Sequence, residues 1–255
     1  MNRLSAIHVP RPARLFVPSL LALACVVPAV AQKFDASNWG KNTAGVTLAA
    51  HEGSRDHTDR GTVLWYNLIG KGFPDGTVYN LWRMLPGKSP EVLIKGVSFD
   101  QRGVLVCSGK PGFCSGQEPD DPVNLKTTAA LGEEKHMAVI SGDGKSAGFA
   151  DAVPFPIEAT DKGCKLSVVR MSAQADVMLA RASGLKPNQG ITVAKRYGYE
   201  TGSGKYTAGP DGTWESVVST QNAMQPSGKA TISVEGGSCL VSVTFDYGPE
   251  SNKPQ

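Results

Sequence analysis

The sequence predicts an all-β protein built as two tandem β-sandwich domains behind a cleaved signal peptide. Three observations lead there. Short runs of alternating apolar and polar residues recur along the chain, as strands with one buried face require. With 29 glycines and 17 prolines, turn chemistry is abundant enough to join many short strands. One order of strands and turns is also written twice.

Residues 1–31 read as a secretory signal. Arg3, Arg11 and Arg14 precede an apolar run from Leu15 to Val27, and Ala29-Val30-Ala31 supplies the small-x-small cleavage pattern. The run is shorter than the ~20 residues a spanning helix needs. An alternative is lipoprotein processing within LALAC, with Cys25 acylated, although Ala22 stands where that pattern wants Leu. Three of the 26 basic residues lie in this segment, which leaves 23 basic against 23 acidic ones. A neutral chain argues against nucleic acid or anionic lipid as partner.

Residues 32–60 are expected to be a polar leader. The first copy follows over 61–171, where LWYNLIGKGFPDGTVYNLWRM (64–84) sets a strand, a glycine turn and a strand in succession. The second copy, 172–248, repeats the plan in DVMLARASGLKPNQGITVAKRY (176–197), with Gly184 matching Gly72 and Leu185 matching Phe73. FDQRGVLV (99–106) answers to GPDGTWESV (209–217). PFPIEATDKGCKLSVVR (154–170) answers to KATISVEGGSCLVSVTF (229–245), so that a cysteine opens the last strand of each copy. SAQADVMLARA (172–182) has helix-forming residues, but its counterpart TVLWYNLI is rich in β-branched and aromatic ones, and a strand is expected. The first copy carries a 34-residue surface insertion, mostly within 107–148, with a short helix expected around 127–135 and any grafted site expected there. Residues 249–255 are expected to be a disordered tail.

This succession of strands and turns resembles the immunoglobulin-like and fibronectin-like sandwiches of bacterial exported proteins, over residues 60–171 and 176–248. The resemblance is one of superfold, and such sandwiches host unrelated functions.

In an exported chain, cysteines are expected to pair. Cys107 and Cys114 bracket SGKPGF, a sequence that reverses the chain, and a disulfide is expected between them. Cys164 and Cys239 occupy equivalent places in the two copies. They are therefore expected as buried free thiols in separate cores, since pairing would need both strand ends at a domain junction.

Chemistry-bearing residues are sparse. His51 and His57, within HEGSRDHTDR, are the candidate metal ligands, although their spacing matches no regular motif and a solvated leader is the favoured account. GKSAG (144–148) satisfies the nucleophile-elbow formula at Ser146, but that motif needs a helix on its far side and two prolines follow closely. Asp120, Asp121, Glu133 and Glu134 lack calcium-loop spacing. Trp65, Tyr66, Tyr79 and Trp82, on neighbouring strands, are candidates for a sugar-stacking platform, unless alternation buries them. No cofactor is implied. The function these observations favour is a non-enzymatic binding, adhesion or structural module of the bacterial envelope, with protein or glycan as partner. The alternatives are a carbohydrate-binding accessory module and a small metal-dependent or serine hydrolase.

Overall fold

The computed structural model describes residues 39–59, 61–109, 114, 118–220, 225–251 and 253–255. The predicted signal, including Cys25, lies outside them. Among the described residues, sixteen strands and one short 3-10 helix make up the regular structure, and the chain from residue 32 onward groups as one compact unit.

The first eight strands are β1 (Thr47–Thr58), β2 (Gly61–Lys71), β3 (Tyr79–Met84), β4 (Glu91–Phe99), β5 (Leu105–Cys107), β6 (Leu125–Thr127), β7 (Lys135–Ser141) and β8 (Ala147–Ala152). They form a sheet in the order β1-β2-β6 and another in the order β5-β4-β3-β7-β8. In β2 alternation is strict: Leu64, Tyr66 and Leu68 point inward and are fully buried or nearly so. They meet Tyr79, Leu81, Val97 and Val139 of the facing sheet in a single apolar cluster.

The second eight are β9 (Ile157–Asp161), β10 (Cys164–Arg170), β11 (Val177–Ser183), β12 (Gly190–Tyr197), β13 (Glu200–Thr207), β14 (Trp214–Ser219), β15 (Gly228–Gly236) and β16 (Cys239–Tyr247). Their sheets run β14-β11-β10-β9 and β13-β12-β15-β16. Leu166, Met178, Ile191, Val193, Ile232, Val243 and Phe245 fill the space between them. The segment with helix-forming residues is a strand. Met178, Ala180 and Ala182 of β11 are buried between neighbours β10 and β14, so tertiary pairing overrides local propensity.

The strand order of the two halves is similar. The first half places two strands in one sheet, three in the other and one back in the first before a closing hairpin; the second half places three, two and one before the same closing hairpin. This succession resembles the Greek-key order of immunoglobulin-like sandwiches. The glycines matched from sequence mark the same places. Gly72 and Gly184 both have φ +75°, and a Cβ on either would fall within 2.2 Å of a carbonyl oxygen, Gly45 O or Gly163 O respectively. Gly103 and Gly212 share a second arrangement: Gly70 N–H donates to Gly103 O at 2.8 Å, and Leu185 N–H to Gly212 O at 3.1 Å.

Several expectations are corrected. The leader over 32–60 contains the twelve-residue strand β1, paired with β2 along its whole length. The hairpin closing the first half is β7–β8, so β7 and β8, like β6 before them, are sandwich strands rather than insertion. No helix forms around 127–135; residues there extend and turn. The β9–β10 hairpin, assigned from sequence to the first copy, pairs with β11 and packs in the second cluster. It faces the β15–β16 hairpin across that core. Cys164 and Cys239 are consequently bonded to each other, Cα atoms 6.0 Å apart, rather than free in separate cores. The recurring figure is thus two hairpins on opposite sheets of one sandwich, stapled where their second strands begin. Cys107 and Cys114 are bonded as well, with Cα atoms 5.8 Å apart.

Residues 249–255, expected to be disordered, turn through a 3-10 helix at Pro249–Ser251 and run back to the first half. Pro254 bridges Ala130, Gln255 N–H donates to Ala129 O at 3.1 Å, and Thr62 N–H donates to Gln255 O. Arg170, 3% exposed, anchors this return: its Nε donates to Leu131 O at 2.6 Å, and its guanidinium donates to Ser251 O at 2.6 Å. Arg55 fixes the connecting segment to the first half, whose core Phe155 packs against. It donates to Pro154 O at 3.0 Å and lies over the Phe155 ring, 5.0 Å from its centre.

Candidate functional site

The alternation of β7 sends Met137 and Val139 into the first core and turns His136, Ala138 and Ile140 to the outer face. Glu134 precedes His136 by two residues and so shares its face. Asp151 of β8 stands directly across from His136 in the antiparallel register. These three come together where the outer face of the five-stranded sheet approaches β11. His136 Nδ1 lies 2.7 Å from Asp151 Oδ1, and its Nε2 lies 3.7 Å from Glu134 Oε2. Among the described residues this is the one group of three metal-ligating side chains gathered within 4.8 Å.

Burial is graded: the side chains of Glu134, His136 and Asp151 are 14%, 21% and 56% exposed. Burial raises the Glu134 carboxyl above its ordinary value; the His136 charge opposes this, and Asp151 adds to it. Burial depresses His136, but the hydrogen bond it donates to Asp151 and the charges of both carboxylates outweigh it and hold the imidazole above its usual value. The Arg181 charge from β11 reaches both groups. Arg181 is itself drawn aside toward Glu215, 3.5 Å away. His136 also lines a small apolar cleft of about 60 Å³ bounded by Tyr66, Met84, Leu85, Leu93 and Leu125.

The residues singled out from sequence do not converge. His51 and His57 both lie on exposed β1. His51 is opposite Asn67, and His57 Nδ1 is 3.0 Å from Thr62 Oγ1, so they assemble no metal-binding group among the described residues. In their cluster, Glu52 instead pairs with Arg55, whose hydrogen bond holds that carboxyl below its ordinary value. Tyr66 and Tyr79 are buried at 4% and 1%; burial, then the Glu52 charge, raises the Tyr66 phenol. Trp65 and Trp82 point outward from different sheets. Trp65 donates from Nε1 to Asp56 at 2.9 Å, with Lys126 Nζ 5.4 Å from its ring centre. Trp82 packs on the other outer face beside Trp39 and Phe149. No single platform joins the four.

Ser146 is buried in the turn between β7 and β8, and a strand rather than a helix leaves it, so the elbow geometry is missing. Asp120 and Asp121 sit in a turn, while Glu133 accepts from Ala130 N–H and Lys135.

No family model matches this chain, and neither does any curated protein. Among the solved structures that match, two illustrate how low the similarity is. One is a tetra-tandem repeat in the extending region of a large adhesion protein, with a TM-score of 0.26, 11% identity, and coverage of 80% of this chain and 48% of that one. The other is the BSP domain of a biofilm-associated protein, with a TM-score of 0.24, 9% identity, and coverage of 84% and 54%. This chain thus spans about half the length of each. Likeness at that level assigns no function.

Proposed function

We propose that the chain is an exported, non-enzymatic binding or structural module of the bacterial envelope, made of two immunoglobulin-like domains after a signal peptide. The first domain covers about residues 39–152 and the second about 157–248. The observation that carries this reading is the joint between them. A buried arginine and a folded-back tail hold one sandwich against the other, and Arg55 fixes the connecting segment to the first. Such a joint fixes the spacing and angle of two surfaces, which a presenting or spacing module needs. Two disulfides suit an oxidising compartment outside the cytoplasm. The test is fractionation and protease shaving of intact native cells, followed by crosslinking read by mass spectrometry. A shaved, disulfide-bonded protein crosslinked to envelope components is expected. A cytoplasmic protein with reduced thiols would refute the reading.

A narrower second reading rests on Trp65, whose outward ring is flanked by Asp56 and Lys126 as a single-ring sugar contact would be. Glycan binding lost in Trp65→Ala but kept in Trp82→Ala would support it.

A further inference from the structure

We propose that Glu134 and His136 bind a divalent transition-metal ion, with Asp151 as the carboxylate that orients the imidazole. The two ring nitrogens of His136 face different partners. Asp151, 2.7 Å from Nδ1, fixes the proton on that nitrogen. The lone pair of Nε2 is thereby directed at Glu134. This is the carboxylate–histidine–metal order in which an outer carboxylate sets the tautomer and strengthens the ligand.

The spacing suits an ion between Nε2 and Glu134. With bonds of about 2.0–2.1 Å, their 3.7 Å separation corresponds to roughly 125° at the metal. A contraction of a few tenths of an ångström makes that angle tetrahedral. Glu134 is already largely desolvated, and a cation there relieves its buried charge. The imidazole selects zinc or copper over calcium or magnesium, whose preferred ligands are oxygen alone.

The test uses the full chain, purified without a histidine tag, stripped with chelator and titrated with zinc chloride by calorimetry. Elemental analysis after dialysis serves as an independent count. One zinc per chain is expected, with a rise in melting temperature. His136→Ala and Glu134→Gln should abolish uptake, while Asp151→Asn should weaken it about 10–100-fold. A His51→Ala/His57→Ala double variant should bind as the parent does. Circular dichroism and urea midpoints without metal establish that each variant is folded; His136→Asn replaces any that is not. Absence of uptake by the parent overturns the proposal, as does uptake unchanged in His136→Ala or abolished by the β1 histidine pair. Loss in Asp151→Asn as complete as in His136→Ala overturns the orienting place of Asp151.

Discussion

Removing the Cys164–Cys239 bridge should cost the second sandwich more than any other pairwise change in the chain. The bridge closes a loop of 75 residues, against 7 for Cys107–Cys114. On the loop-entropy relation these closures are worth about 4.5 and about 2.4 kcal/mol at 25 °C. Cys164 and Cys239 are also buried in the core, at 2% and 6% exposure, so replacing both by alanine removes packed sulfur as well. The assay is urea unfolding of Cys164→Ala/Cys239→Ala, Cys107→Ala/Cys114→Ala and the parent. Tryptophan fluorescence reports it, since Trp214 is buried in the second core while Trp82 packs on the first half. A loss of at least about 4 kcal/mol is expected for the core pair, and about half of that for the small ring. Equal losses from the two pairs, or under about 1 kcal/mol from the core pair, would refute the assignment of Cys164 and Cys239 to one core.

Arg170→Met should destabilise by about 3 kcal/mol, because the carbonyls of Leu131 and Ser251 lose a charged donor away from water. Deleting residues 249–255 should cost a similar amount, and the two changes together less than their sum, as differential scanning calorimetry would show. Gly184→Ala should cost about 2–3 kcal/mol, since its Cβ would stand 2.2 Å from Gly163 O at φ +75°. Gly163→Ala, at φ +87° with open space, should cost only about 1 kcal/mol, and paired denaturation curves compare them. Folded Glu134 and His136 both hold protons more tightly than when unfolded, so the folded chain binds more protons and stability falls as pH rises. The His136 share is whole below about pH 6.5 and is lost as pH climbs through the raised folded value. Urea midpoints should decline across that range and flatten in His136→Gln. A midpoint rising between about pH 6 and 8 would contradict the raised values.

Much of the fold was legible in the residues because glycine geometry and strand alternation are local. Gly72, Gly103, Gly184 and Gly212 can be matched by sequence since each sits where a Cβ would strike a backbone oxygen. The strict alternation of β2 and β16 marks the two cores. Where the halves divide was not legible. β9–β10 and β15–β16 each turn through two residues into a cysteine-led strand. Such hairpins look the same whether they close successive domains or oppose each other in one, because the difference lies in long-range pairing of β10 with β11. With the first hairpin assigned to the earlier copy, two cysteines 75 residues apart fall in different cores, whereas the bridge brings them into one.

The same displacement hid the candidate site. Glu134 and His136 stand two apart, a spacing that on a strand places both on one face and on a helix sets them about 200° apart. Glu134 closes the segment expected to be helical and His136 lies just beyond it, so the extended path into β7 that sets both on one face was not expected from sequence. Asp151 becomes their neighbour only when β7 and β8 are recognised as a sandwich hairpin, its register setting His136 opposite Asp151. The polar segment HEGSRDHTDR drew attention by composition, yet lying along the exposed strand β1 it spreads its histidines six residues apart with no third ligand assembled. Density of ligand-type residues along a chain thus says little in an all-β protein. What concentrates them is cross-strand register. The search for chemistry in this chain is therefore governed by the β7–β8 pairing, and a one-residue slip of that register would turn Asp151 to the opposite face and dissolve the cluster.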